Sequence, residues 1–293
     1  MIANLHKLKV VLVGAFALAI SSTAQAQGDF KCATHTKMNA LYEKNPKARE
    51  DRENFLKHIF ETRATYDDST IYTIPIVFHI LHKYGPENIS DANIYNQMNI
   101  LNDDFRDQSF DAAAVIAEFQ GIKADCKIQF KLPTLDPDGN CTNGIEHIYT
   151  HEITEGDDYS KLSQWPRDRY LNVWICDKIG ADGAAGYAYQ PDAVAGFLAF
   201  ADGIILNYTY IGSLSPSTVG KSRALTHEIG HYLILDHTWG GTNEPEVSCG
   251  NDGIPDTPIT AGHDNCSNKY DNDCDKLTIS STTANPSTYR FDS

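Results

Sequence analysis

The sequence predicts an α+β fold, a twisted mixed sheet with helices packed on it, from three patterns that follow one another along the chain. The first is Tyr72-Thr-Ile-Pro-Ile-Val-Phe-His-Ile-Leu81, a run dense in β-branched and aromatic residues that reads as a strand. Pro75 cannot donate to a ladder, so this strand begins late or lies at an edge. The second is a helix opened by Ser90, a residue type that caps helix N-termini. Ile94, Met98, Leu101 and Phe105 follow at spacings of four, three and four, which is one helical face. The third is a series of strand-like runs at 127–132, 144–149, 170–176 and 203–207, ahead of a helix starting near Ser222. Asp136-Pro-Asp-Gly-Asn140 is a turn between the first two runs: proline fixes φ, while glycine and asparagine tolerate positive φ. The small-residue stretch 180–186 reads as a loop.

The N-terminal part has a different character. Lys7 and Lys9 precede an apolar run from Val10 to Ile20, and Ala24-Gln25-Ala26 supplies a small-x-small cleavage signal. Residues 1–26 therefore read as a secretory signal peptide, with an apolar run too short to span a bilayer. The expected location is secreted or periplasmic, without membrane insertion. Residues 27–69 are polar and charged, with helical character around Asp51 to Arg63, where Phe55, Ile59 and Phe60 share a face. Residues 70–293 form the main domain, whose tail from Ser280 is rich in Ser, Thr and Asn and lacks a folding pattern. The formal charge is −15, and loss of Lys7 and Lys9 with the leader takes it to −17. Such acidity excludes nucleic-acid binding through counterion release. Seven cysteines in an exported chain point to disulfides, and the odd count leaves at least one thiol without an intrachain partner.

The sharpest feature is Thr226-His227-Glu228-Ile229-Gly230-His231, followed by His237. Positions four apart share a helical face, so His227 and His231 can offer two nitrogens to one metal. A catalytic zinc takes three protein ligands and keeps one position for water, and Glu228 stands where a carboxylate can take a proton from that water. With this chain's composition the two-histidine motif arises by chance in about one such chain in 60, and the triplet in about one in 1,500. A downstream glutamate as third ligand is the rival scheme. Glu244 and Glu246 are its candidates, but they sit in a Gly/Pro/Asn context without helical character, which favours His237.

At this motif the chain resembles the pappalysin and cytophagalysin branch of the metzincins, zinc peptidases with the pattern H-E-x-x-H-x-x-G-x-x-H. The likeness extends over Ile74-Pro-Ile-Val-Phe-His-Ile80, Leu101-Asn-Asp-Asp-Phe-Arg106, Asp136-Pro-Asp-Gly-Asn140, Asp202-Gly-Ile-Ile-Leu206, His237-Thr-Trp-Gly240 and Asp256-Thr-Pro258, roughly residues 70 to 275. It implies a metzincin-like zincin catalytic domain over 70–293, with a twisted mixed sheet, a backing helix and an active-site helix. Residues 27–69 become a pro-segment, and the implied function is a secreted zinc endopeptidase acting on protein or peptide substrates. The resemblance further implies a zymogen switch at Cys32, a Ca2+ site at Asp252, Asp256 and Thr257, and a Cys249–Cys274 bridge.

Two departures from the family pattern bear on activity. The glycine expected three residues after His231 is Ile234, and a β-branched residue at positive φ is strained. The family's methionine turn beneath the zinc is missing, since the last methionine is Met98. The C-terminal subdomain is therefore expected to be incomplete, the chain being truncated or frameshifted after about Asp275, which would also strand Cys266. The alternative function is a catalytically impaired secreted binding protein that keeps the peptidase scaffold.

Overall fold

The computed structural model describes residues 31–261 apart from 62–68, 116–119, 122, 152, 154, 181–182, 243–246 and 255–258. The expected signal peptide and the chain beyond residue 261 lie outside the described residues. Strand β1 (Tyr72–His82) is the axis of the sheet. It pairs in parallel with β2 (Ile128–Lys131) along 72–75, with β3 (Ile145–Tyr149) along 78–82, and with β4 (Leu171–Cys176) along 76–80. Pro75 thus falls where β1 has β2 as its single neighbour, so its missing N–H costs no ladder bond on the other side. The short β5 (Gly186–Ala188) pairs antiparallel with β6 (Ile204–Asn207), which itself follows β4 in parallel. The order β2-β1-β4-β6-β5 makes β5 an edge. The stretch read as a loop therefore runs directly into the strand that borders the functional site.

Side chains alternate between the two faces, as strand geometry requires. Ile76, Phe78, Ile80, Val173, Ile175, Ile204 and Leu206 form one face. Against it pack Ile94 and Leu101 of the backing helix, with Leu225 and Ile229 of the histidine-bearing helix. The opposite rows, including Leu81, Trp174, Ile205 and Tyr187, form a second cluster with Met38 and Tyr42. Met38 and Tyr42 belong to α1 (Thr34–Lys44), which leads into α2 (Pro46–Glu61). The sequence shows α2 in part and conceals α1, because the only apolar side chains α1 buries are Met38 and Tyr42, with Leu41 partly buried, among mostly polar residues.

The two ends of the backing helix α3 (Asp91–Phe105) have separate mechanical roles. Ser90 has the extended backbone of an N-cap, yet its hydroxyl donates to the Asn93 side chain (2.8 Å) instead of capping the backbone. At the other end Asn102 bonds both polar groups of the Phe130 backbone, at 3.1 and 2.7 Å, and so ties α3 to β2. Asp104 accepts from Thr226 Oγ1 at 2.7 Å and Arg223 Nε at 3.1 Å, beside the first turn of α4 (Ala224–Tyr232). Arg223 is also gripped by Asp111 at 2.6 and 2.7 Å. A carboxylate at a helix N-terminus is favoured by the helix dipole. Asp104→Ala should therefore lower the unfolding free energy by about 1–2 kcal/mol, because Thr226 loses its acceptor while Arg223, partly exposed, keeps Asp111. Urea unfolding measures this; a change within experimental error would show that α4 does not depend on Asp104.

Candidate metal centre

Helix α4 carries His227 and His231 four residues apart, ending at Tyr232. The chain then turns sharply: Ile234 has φ 75, Ile234 N donates to His231 O at 2.9 Å and Leu235 N to Gly230 O at 3.0 Å. The strained conformation expected of a β-branched residue at this position is therefore present, and the turn still brings His237 round. The three Nε2 atoms lie 3.1 Å (His227–His231), 3.2 Å (His231–His237) and 3.3 Å (His227–His237) apart. Cys32 Sγ lies 3.5 Å from His231 Nε2, and all four ligand atoms fall within 4.8 Å of one another.

Hydrogen bonds decide what these nitrogens can be. His231 Nδ1 is 2.8 Å from Leu235 O, and His237 Nδ1 is 2.7 Å from Thr242 O. A carbonyl only accepts, so both Nδ1 atoms carry the proton and both Nε2 atoms present lone pairs in the neutral rings. Burial, helped by the neighbouring imidazoles, pulls His237 down to about 3, and burial pulls His231 down to about 4, so both are neutral near pH 7. His227 is lowered well below its ordinary value by the same causes. Two lone pairs 3.2 Å apart repel unless a cation lies between them. The spacings also suit a tetrahedral site of three nitrogens and one sulfur: zinc bond lengths give about 3.3 Å between nitrogens and about 3.5 Å from nitrogen to sulfur. The donor set thus fits a divalent metal, and the carbonyl partners of the outer nitrogens orient the rings as ligands require.

Further groups shape this centre. Trp239, buried, stacks on His237 with centroids 4.4 Å apart, and its Nε1 donates to Thr242 O at 3.0 Å. Glu228 is fully buried; Thr34 Oγ1 donates to its Oε2 at 2.9 Å and itself accepts from Ala188 N at 2.9 Å. Burial pushes the Glu228 carboxyl up to about 8, against the lowering by Thr34 and Cys32. Burial and the Glu228 carboxylate likewise raise the Cys32 thiol. Gly186 of the edge strand is glycine for a reason of space. A Cβ there would stand 2.6 Å from Leu206 and 3.1 Å from the Glu228 side chain. Residues 31–33 run along this edge in parallel, with Ala185 N donating to Lys31 O (2.8 Å) and Ala33 N to Gly186 O (3.0 Å).

The sequence reading thus finds His227, His231, His237, Glu228 and Cys32 brought together. Asp252 is not in this cluster; its carboxylate accepts from Ile254 N at 2.9 Å, while Asp256 and Thr257 lie outside the described residues. Glu244, Glu246, Cys266 and Cys274 also lie outside them. Cys126, Cys141 and Cys176 are free thiols like Cys32, so the disulfides expected from the cysteine count do not involve these four. His79, read as structural, bonds Glu146 (2.7 Å) and Asn172 (3.0 Å) within the sheet. Sequence reasoning missed Thr34, His35 and Asp236 at the site. The one available signal was a charged residue beside a metal-ligand position, since Asp236 precedes His237 directly.

A histidine pair on a helix, a buried glutamate beside the first of them and a third histidine delivered by a turn, all on a mixed sheet, define a metallopeptidase of the metzincin-like class. The peptidase family described as Pregnancy-associated plasma protein-A matches residues 154–289. Mature mirolysin of Tannerella forsythia, solved in complex with a cleaved peptide, is 37% identical, covering 67% of this chain and 74% of that one with a TM-score of 0.59. A mutant promirolysin of the same organism is 30% identical, covering 80% and 77% with a TM-score of 0.68. Extracellular metalloproteases of Arthroderma gypseum and Colletotrichum graminicola are each 26% identical, over 70% and 88% of this chain. The match spans 62% of the length of the first and 84% of the second. The chain belongs to the pappalysin family of metallopeptidases. Among the described residues, no helix is long and apolar enough to cross a membrane.

The lowered histidines set a direction for acid sensitivity. Without metal, the unfolded chain takes up protons at its histidines near the ordinary 6.5 before the folded chain does at about 4 or 3. Their contribution to stability is therefore complete above about pH 6.5 and drains as pH falls toward 4. Glu228, raised to about 8, acts oppositely and makes the metal-free protein less stable as pH rises from 4.5 to 8. Melting of chelator-treated protein should therefore fall below about pH 6.5, and Glu228→Gln should flatten the slope above it. An unchanged melting temperature from pH 6.5 to 4 would contradict the burial of neutral imidazoles.

Proposed function

We propose that the protein is an exported zinc endopeptidase made as a zymogen, with His227, His231 and His237 as metal ligands and Glu228 as general base. The observation that carries this reading is the convergence of three Nε2 atoms at 3.1–3.3 Å with Cys32 Sγ beside them. Bound there, a zinc ion supplies Lewis acidity and lowers the pKa of a coordinated water. Glu228, next to the first ligand, takes a proton from the attacking water and passes it to the leaving amine. In the zymogen Cys32 would supply a fourth ligand atom in place of water, and Thr34 engages the Glu228 carboxyl. Removing residues 27–69 would expose Glu228 to water and return it toward an ordinary, ionised carboxylate. The edge strand β5 would bind the substrate backbone, as exposed sheet edges bind extended peptides.

The finer assignments follow the same reading. Residues 1–26 act as the export signal, 27–69 as the pro-segment and 70–293 as the catalytic domain. Asp252, Asp256 and Thr257 would hold Ca2+ through carboxylate, hydroxyl and carbonyl oxygens, which suit a hard cation. Cys249 is disulfide-bonded, and Cys274 is the proposed partner. The second reading, an impaired binding protein on the same scaffold, draws on Ile234 at φ 75.

Cleavage of unfolded casein separates the two. With zinc present and the segment removed, the parent should cleave and Glu228→Ala should be slower by about 10²–10⁴-fold, with zinc content per chain unchanged. A parent that binds zinc but never cleaves would favour the scaffold. In the untrimmed protein Cys32→Ala should raise cleavage, whereas no gain would remove the switch.

A further inference from the structure

The N-terminal segment touches the metal centre at a place that has nothing to do with blocking it. Asp236, between the strained turn and His237, has both carboxylate oxygens occupied by this segment. His35 Nε2 donates to Oδ1 at 3.0 Å from α1, and Arg52 Nη2 donates to Oδ2 at 2.9 Å from α2. Both donors are buried, and the His35 ring packs on His237 with centroids 4.7 Å apart. A side chain on α2 has thus been brought into the interior to meet a residue 184 positions away. Burying the Arg52 guanidinium against a half-buried carboxylate is costly, so a contact that merely fastened the segment could be made more cheaply with apolar side chains.

The strain at Ile234 supplies the reason for this contact. A β-branched residue in the left-handed region disfavours its own conformation, by about five- to 140-fold in the equilibrium with a relaxed turn. The two bonds that close the turn, Ile234 N to His231 O and Leu235 N to Gly230 O, lie upstream of Asp236. If Ile234 relaxed to negative φ, residues 235–237 would swing away from α4 and carry His237 off the other two imidazoles. That swing would pull Asp236 from both His35 and Arg52. We propose that the N-terminal segment, besides covering the site, assembles it: Arg52 and His35 hold the Ile234 turn through Asp236 in the conformation that delivers His237. They are positioning residues for the third ligand, and the inference rests on the reading that the three histidines bind a metal.

Zinc affinity tests this without any activity measurement. The full-length chain is prepared with Cys32→Ala, so that loss of the thiol cannot imitate the effect, and Zn2+ is titrated against a chromogenic chelator. Arg52→Gln should weaken zinc binding about tenfold when residue 234 is isoleucine. With Ile234→Gly in the same chain the loss should shrink to about twofold or less, because glycine adopts positive φ without help. An equal loss in both backgrounds, or none in either, overturns the proposal while leaving the metal centre intact. A parent that binds no zinc, or binds it unchanged after His237→Ala, fails at the earlier step and takes this inference with it. Circular dichroism checks folding; if the glutamine variant does not fold, Arg52→Lys, with its flexible single-point ammonium, should show a smaller loss with the same rescue by glycine.

Discussion

Two nitrogen lone pairs held 3.2 Å apart inside a protein are the constraint from which the rest of this site follows. The carbonyls of Leu235 and Thr242 fix them in that state by claiming the opposite ring protons. Burial keeps the rings neutral, so neither can relieve the repulsion by protonating near pH 7. A positive ion bound by all three imidazoles relieves that repulsion. The supporting structure can be ranked by how directly it maintains this arrangement. Helix α4 spaces the first two rings, Asp104 anchors the start of that helix, and the Ile234 turn with Trp239 behind it presents the third.

The N-terminal segment uses the same architecture in three distinct ways. Cys32 supplies a fourth ligand atom, Thr34 binds the buried Glu228 carboxyl, and α1 adds Met38 and Tyr42 to the cluster beneath Tyr187. The first two engage the helix that carries His227, Glu228 and His231, and the third engages the far face of the sheet.

Much of this was legible in the sequence because it rested on periodicity or fixed spacing. The backing helix, the first strand and the histidine triplet all announce themselves that way, and their observed bounds differ from the expected ones by a residue or two. The elements that escaped share a physical character. Strand β5 is three residues long and begins with a glycine required by the closeness of Glu228, so it carries no strand signature. Helix α1 buries only a few side chains against distant strands. Asp236, His35 and Arg52 meet across about two hundred positions, a relation that only the folded chain creates. Residue 234 was legible in a different sense: the pattern required positive φ there, and the backbone adopts it despite the side chain.

The pairing of residues 31–33 with β5 has a consequence for the protein in solution. While it lasts, the last strand of the sheet has its outward amide and carbonyl groups engaged, through Ala185 N, Gly186 O and Ala188 N. Once the segment is gone those groups face water on a bare rim, the kind of template along which identical chains add to one another. Loss of the segment would therefore turn a self-contained molecule into one with an adhesive border. The strong net negative charge of the main domain opposes that association by mutual repulsion, and salt would weaken the protection.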